Sequence, residues 1–170
     1  ETLDLTITSS TSNTTTLTEC DSYTWLVNGT IYTASGSYID VSTNAAGCTH
    51  TETLNLTLNN STSASMSATA CDSYTWPVNG VIYTTSGSYI DVSTNAAGCT
   101  HTETLNLTLN NSTSASMSAT ACDSYTWPVN GIIYTTSGSY TDVSTNTAGC
   151  THTETLNLTI NSSTSNITTL

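Results

Sequence analysis

The chain has 170 residues, no Lys or Arg, and a formal net charge of −12 from 12 Asp and Glu. Without cations it cannot neutralise phosphates or settle on an anionic bilayer, which excludes nucleic-acid binding and membrane-surface binding. Charged residues make up only 7% and hydrophobic ones 36%, and Ser plus Thr fill about two positions in five. That composition points to a polar, β-rich, extracellular chain rather than a highly charged disordered one.

The chain opens with Glu1-Thr-Leu-Asp-Leu-Thr-Ile-Thr, which matches Glu52-Thr-Leu-Asn-Leu-Thr-Leu-Asn. Residues 1–10 therefore read as the last strand of a preceding repeat. A period of 51 follows: Cys20, Cys71 and Cys122 are spaced by it, as are Cys48, Cys99 and Cys150, and Trp25, Trp76 and Trp127. A fixed period marks a tandem array. Repeat 1 is assigned to 11–61, repeat 2 to 62–112 and repeat 3 to 113–163, with 164–170 starting the next. Residues 60–110 and 111–161 differ only at Val81/Ile132, Ile90/Thr141, Ala96/Thr147 and Leu109/Ile160. The sequence reads as a window on a longer array, with no apolar run that predicts a membrane span.

Within repeat 2, Ala64, Met66, Ala68 and Ala70 alternate with Ser and Thr, predicting a first strand. Asn79-Gly80 between Tyr74–Val78 and Val81–Thr85 predicts a two-residue type I′ hairpin. It would pair 78 with 81, 76 with 83 and 74 with 85. Ser86-Gly87 turns into a strand at Tyr89–Val92, on which Asp91 reads as solvent-facing. Asn95-Ala-Ala-Gly98 turns again. The last strand, Cys99–Leu109, has strict period 2, placing Leu105, Leu107 and Leu109 inward. The stretch Asn59–Ser65 predicts a short, stiff, extended linker. Apolar residues never recur with helical spacing. The expectation is an all-β tandem array of small antiparallel Ig-like β-sandwich units, one to each period of 51, with essentially no helix.

A unit this short is near the lower limit for folding alone, so stapling is expected. Two Cys per unit predict pairings Cys20–Cys48, Cys71–Cys99 and Cys122–Cys150, each closing about 28 residues. Cys99–Cys122, across neighbouring units, is the alternative.

Cys99, His101 and Glu103 share a strand face and include metal-ligand types, but oxidation of Cys99 would remove one ligand. Asp72, Asp91 and Glu103 recur in every unit and are candidates for calcium, although no EF-type loop is present. The metal candidates are therefore Asp72, Asp91, His101 and Glu103. No cofactor is expected otherwise. No Gly-x-Ser-x-Gly or His-Glu-x-x-His motif is present, so no catalysis is expected. Tyr74, Trp76, Tyr83 and Tyr89 would stack sugars if exposed and form the core if buried; a unit this small needs its Trp inside. Thr-rich strands also suggest an ice-binding surface, but turns interrupt the alternation. Asn55, Asn106 and Asn157 lie in sequons on the outward face of the last strand and are candidate glycosylation sites.

The string Ala70-Cys-Asp-Ser-Tyr-Thr-Trp-Pro-Val-Asn-Gly80, with Tyr83–Tyr89, Asn95–Cys99 and Leu105–Thr108, resembles a repeat of giant Bacteroidota surface adhesins. Those proteins are exported by type IX secretion and include gliding-associated surface proteins. The resemblance covers each whole unit. Leu26 in place of Pro, and Thr100-His101-Thr102 after the second Cys, depart from the pattern. It implies an Ig-like stalk or filament repeat, bacterial surface or secreted localisation, and no catalytic residues. The expected partners are neighbouring repeats of the same chain and identical chains in a fibre. A multivalent carbohydrate- or calcium-binding array is the alternative.

Overall fold

The computed structural model describes residues 1–4 and 6–164. Among them the chain is all-β, with no helix. The first repeat contributes β1 (Thr11–Cys20), β2 (Tyr23–Trp25), β3 (Thr30–Tyr32), β4 (Gly36–Thr43) and β5 (Thr49–Asn59). The second contributes β6 (Thr62–Cys71), β7 (Tyr74–Thr75), β8 (Ile82–Tyr83), β9 (Gly87–Thr94) and β10 (Thr100–Asn110). The third contributes β11 (Thr113–Cys122), β12 (Tyr125–Thr126), β13 (Ile133–Tyr134), β14 (Gly138–Thr145) and β15 (Thr151–Asn161). Residues 1–10, read as a preceding repeat's last strand, hold no strand among those described. Of the 164–170 segment, 165–170 lie outside the described residues.

Every repeat places its last strand at the centre of a three-stranded sheet, in the orders β1-β5-β4, β6-β10-β9 and β11-β15-β14. The remaining pairs, β2–β3, β7–β8 and β12–β13, are separate hairpins. The sheets are not antiparallel throughout. β1 runs parallel to β5, from Thr11 opposite His50 to Cys20 opposite Asn59. β11 and β15 keep the same offset, from Thr113 opposite His152 to Cys122 opposite Asn161. The chain thus returns alongside its own start within one repeat, as a coil of a β-solenoid does. With the second layer reduced to a hairpin of two or three residues per strand, the unit is not the expected antiparallel sandwich.

The strict alternation of the last strand dictates the core. Leu54 and Leu56 on β5 are buried to 0% and 3% exposure while Asn55 and Thr57, which alternate with them, are exposed. Trp25 of the hairpin covers them, with Leu17, Tyr23, Tyr32, Tyr38 and Leu58 around the edge. Trp76 with Leu105 and Leu107, and Trp127 with Leu156 and Leu158, repeat this arrangement. Tyr83 stacks on Tyr89 at 3.9 Å between ring centres and leans on Trp76 at 6.3 Å. The Tyr89 hydroxyl donates to the Thr85 carbonyl at 2.7 Å.

Two strand details depart from expectation. The hairpin is out of the predicted register: Tyr74 faces Tyr83, not Thr85, and Thr75 faces Ile82. Trp76 N–H bonds the Val81 carbonyl at 2.9 Å, leaving the loop Pro77-Val-Asn-Gly80. Asn79 does not adopt the positive φ that a type I′ turn requires; only Gly80 does, at 72°. Instead Gly80 N–H bonds the Trp76 carbonyl at 2.8 Å and Asn79 Oδ1 accepts the Val81 N–H at 3.0 Å. The same loop forms around Leu26 in repeat 1, so it does not depend on proline. The second departure is on β9. Tyr89 and Asp91 turn inward to half-buried positions, while Ile90 and Val92 face outward at 65% exposure. The aromatic stack, not aliphatic hydrophobicity, decides which face is buried.

By contact density the chain forms two compact units: Glu1–Ser65 with Ile90–Thr104, and Met66–Tyr89 with the chain from Leu105 onward. Neither coincides with a sequence repeat.

The core assignment predicts two contrasting substitutions. Leu105→Ala, at a fully buried site, should destabilise the chain by about 2–5 kcal/mol in urea titration. Ile90→Ser, on the outward face, should change stability by no more than about 0.5 kcal/mol in the same measurement.

Candidate repeat-junction site

The polar and sulfur chemistry of the chain converges where one repeat hands over to the next. β1 ends at Cys20, and the following Asp21 lies at φ 61°, as Asp72 and Asp123 lie at 62° and 63°. Asp is among the few non-glycine residues that adopt this left-handed conformation readily. The Asp21 carboxylate accepts the Ser61 N–H and the Ser61 hydroxyl, both at 2.7 Å. Asp72 holds Ser112 in the same way at 2.8 and 2.6 Å. Asp123 holds Ser163 through its N–H at 2.8 Å and through its hydroxyl. At Asp21 the Ser61 N–H and then its hydroxyl hold the carboxyl below its ordinary value; at Asp72 and Asp123 the serine hydroxyl acts first and the N–H second. Only Asn60 and Ser61 separate β5 from β6, so the predicted linker is shortened to the residues this clamp holds.

Asn95 fastens the other side. Its Oδ1 accepts the N–H groups of Ala97 and Cys99 at 3.0 Å each, shaping a turn in which Gly98 takes φ 80°. Its Nδ2 donates to the Asn60 carbonyl at 2.9 Å. Asn59 Nδ2 donates back to the Ala97 carbonyl at 3.3 Å. Asn146 and Asn110 make the equivalent bonds to Asn111 and Ala148 one repeat on.

Disulfides close the junction: Cys20 with Cys99 and Cys71 with Cys150, each with Cα atoms 5.6 Å apart. The expected pairings Cys20–Cys48, Cys71–Cys99 and Cys122–Cys150 do not form, nor does Cys99–Cys122. The parallel register explains why. Cys48 precedes β5 beside the start of β1, whereas Cys20 sits at the end of β1 opposite Asn59. The length of β1 separates those ends by about 33 Å, against the roughly 7 Å limit for a disulfide. The first Cys of one repeat instead meets the second Cys of the next. Cys48 and Cys122 remain thiols. Cys99 and Cys150 are buried to 2% and 1%, while Cys48 is only half-buried. Closing a loop of 79 residues restricts the unfolded chain by about 4.5 kcal/mol on chain-entropy grounds, more than the roughly 3.6 kcal/mol of a loop of about 28 residues.

Of the four metal candidates only His101 and Glu103 are brought together. His101 is held between two partners: Thr62 Oγ1 lies 2.7 Å from Nδ1 and Glu103 Oε1 lies 3.0 Å from Nε2. With the carboxylate accepting, Nε2–H donates to Glu103, and in the neutral ring Nδ1 accepts from the Thr62 hydroxyl. His50 and His152 repeat this chain with Thr11 and Thr113. Cys99 is oxidised, Asp72 is engaged with Ser112, and Asp91 lies on β9. No group of three or more His, Cys, Asp or Glu suited to a metal occurs among the described residues. The sugar-platform arrangement of the aromatics is absent as well: Trp76 is fully buried and its tyrosine neighbours are half-buried. Asn55, Asn106 and Asn157 present exposed side chains from the central strands.

The chain matches no protein-family model and no curated protein. No helix among the described residues is long and apolar enough to cross a membrane. Sequence reading missed the Asp–Ser clamp and the Asn95 anchor; the signal for both was Asp and Asn recurring at one place in each repeat beside a turn.

The lowered Asp carboxyl values fix a pH dependence. A carboxyl that ionises more readily folded than unfolded contributes stability above the ordinary Asp range near 3.9, and loses it as pH falls through the folded value. The contribution of Asp72 should therefore be intact at pH 5 and fade below about pH 4. Asp72→Gly keeps the backbone conformation and deletes both hydrogen bonds. Thermal melts should show a lower Tm for this variant than for wild type at pH 5, with the gap closing toward pH 2.

Proposed function

We propose that the chain is a structural, load-bearing repeat segment of an extracellular stalk or surface filament, in which every repeat is covalently tied to the next. One observation supports this most: the disulfides do not staple repeats singly but interlace them. Cys20–Cys99 and Cys71–Cys150 span overlapping stretches, so a pull on the chain passes from Cys20 to Cys99, back to Cys71, and on to Cys150. The covalent path per repeat shortens from the whole Cys20–Cys71 stretch to the Cys71–Cys99 stretch, a little over half as long. Unravelling one repeat then cannot release its full length, which is the property a tether needs. Disulfides also accord with an oxidising, extracellular compartment. The absence of Lys and Arg removes every trypsin site. The resemblance of the Cys71–Gly80 string to Bacteroidota surface-adhesin repeats accords with a cell-surface or secreted setting. Burial of the Trp rings favours this reading over a carbohydrate-binding array.

Force spectroscopy tests it. At about 3.5 Å per residue, unfolding should lengthen the oxidised chain to roughly 100 Å of contour per interlaced repeat, and to roughly 180 Å in reducing agent. Equal lengths in the two conditions would remove the basis for a load-bearing role. A glycan array probed with the same chain should remain blank.

A further inference from the structure

The Asn95 turn is backed by groups that a turn does not need. The Thr62 hydroxyl donates to His101 Nδ1 at 2.7 Å, and Nε2–H of the same ring donates to Glu103 Oε1 at 3.0 Å. Hydroxyl, imidazole and carboxylate in that order make an activated nucleophile. The ring can take the hydroxyl proton, and the carboxylate holds the ring in the tautomer that does so. An electrophile stands on the other side of the hydroxyl. Asn95 Nδ2 lies 3.4 Å from Thr62 Oγ1, so the carboxamide carbon Cγ is bonded to an atom already in contact with the nucleophile. His101 and Glu103 are half-buried, while Thr62 lies at the surface.

The rest of the carboxamide is held as an acyl-transfer site holds its carbonyl. Oδ1 accepts two backbone N–H groups, from Ala97 and Cys99, at 3.0 Å each. Two N–H groups converging on one carbonyl oxygen polarise its carbon and stabilise negative charge that arrives on the oxygen. Nδ2 donates to the Asn60 carbonyl at 2.9 Å, which fixes the plane of the amide. Repeat 1 builds the same set from Thr11, His50, Glu52 and Asn44. Repeat 3 builds it from Thr113, His152, Glu154 and Asn146. The amide lies 3.4 Å from the threonine oxygen in all three. Repeat 1 keeps the set although Asn13 and Leu17 stand where repeat 2 has Ala64 and Ala68.

We propose that each repeat closes a covalent ester between this threonine and this asparagine, Thr62 with Asn95 in repeat 2, in a single-turnover reaction that the chain catalyses on itself. Thr62 Oγ1 attacks Asn95 Cγ while its proton passes to His101 Nδ1. Negative charge collects on Asn95 Oδ1, between the Ala97 and Cys99 N–H groups. The intermediate then collapses: the Cγ–Nδ2 bond breaks, His101 returns the proton to Nδ2, and ammonia leaves into the solvent beside Thr62. One C–O bond has replaced one C–N bond, with no oxidant and no further reactant. Nucleophile, base and electrophile are already in contact, so the reaction does not have to bring them together. His101 is the catalytic residue and Glu103 a positioning residue that acts through the ring. The ester lies within one repeat, so the inference is independent of the load-bearing reading.

Mass spectrometry of the full chain, denatured and reduced after folding, tests it. The mass should fall below that of the sequence by about 17 Da for each ester, the mass of ammonia, and by about 51 Da for three. Peptic mapping should join the Thr62 peptide to the Asn95 peptide. Thr62→Ala should lose one such decrement, and Thr62→Ser should keep it. His101→Ala should slow closure in repeat 2 by about 10²-fold or more, with partial recovery in added imidazole and no change in the other repeats. Glu103→Gln should slow the same closure, and Glu103→Asp should recover part of the rate. A chain at full sequence mass overturns the inference. So does a loss at Asn95 that survives Thr62→Ala, since the Ala96 N–H has then attacked to give a succinimide. A gain of about 1 Da at Asn95 with no linked peptide overturns it too, water having replaced the hydroxyl. The chain carrying Thr11→Ala, Thr62→Ala and Thr113→Ala cannot form the ester. The contour lengths stated for the load-bearing role are read on that chain, so the two readings fail separately.

Discussion

The parallel pairing of β1 with β5 is the constraint on which the rest depends. An antiparallel pair would bring the end of one strand beside the start of the other, and the two cysteines of a repeat could meet. A parallel pair puts Cys20 at the far end of β5 and Cys48 at the near end, so each cysteine must look outside its own repeat. The third residue after Asn59 already begins β6, so the next repeat starts where Cys20 is waiting. Interlaced disulfides are thus a consequence of strand direction and a short connection, with no further device required.

The same constraint explains why the core can be so small. Each repeat buries one Trp and two Leu almost completely, and the Nε1 groups of Trp76 and Trp127 find no hydrogen-bond partner. An unpaired buried N–H costs about 1–3 kcal/mol, so the indole is retained for the volume it fills over the two leucines. A core of this size leaves a free-standing repeat marginal. Junction bonds and cross-repeat disulfides supply stability that an isolated copy would lack, and the compact units accordingly straddle the sequence boundaries.

Much of this was legible in the sequence. Period-2 alternation located the last strand of each repeat and its buried leucines, and the size of the unit placed Trp76 inside. Strand polarity was not legible, because alternation is the same for parallel and antiparallel neighbours. The disulfide register was lost with it. The hairpin register failed because Asn-Gly is read as a turn centre, whereas here Asn79 caps a longer loop. Asp91 reads as solvent-facing because it is charged, yet it shares the inward face of β9 with Tyr89, whose ring has the stacking partner. The Asp–Ser clamp was hidden because its members, Asp72 and Ser112, are far apart in the chain and meet only through the parallel register.

The missing cations take on a constructive meaning at the junction. A carboxylate that must anchor a neighbouring segment commonly does so through Lys or Arg, and such exposed pairs weaken as salt rises. Here Asp21, Asp72 and Asp123 are satisfied by neutral serine donors, and the asparagines bond backbone carbonyls. The attraction at each junction is short-range and nearly independent of ionic strength, while added salt screens the repulsion among the chain's excess negative charges. Salt therefore removes an opposing term without removing a supporting one. A cation-free junction of hydroxyl, amide, carboxylate and disulfide therefore holds at low and high ionic strength alike.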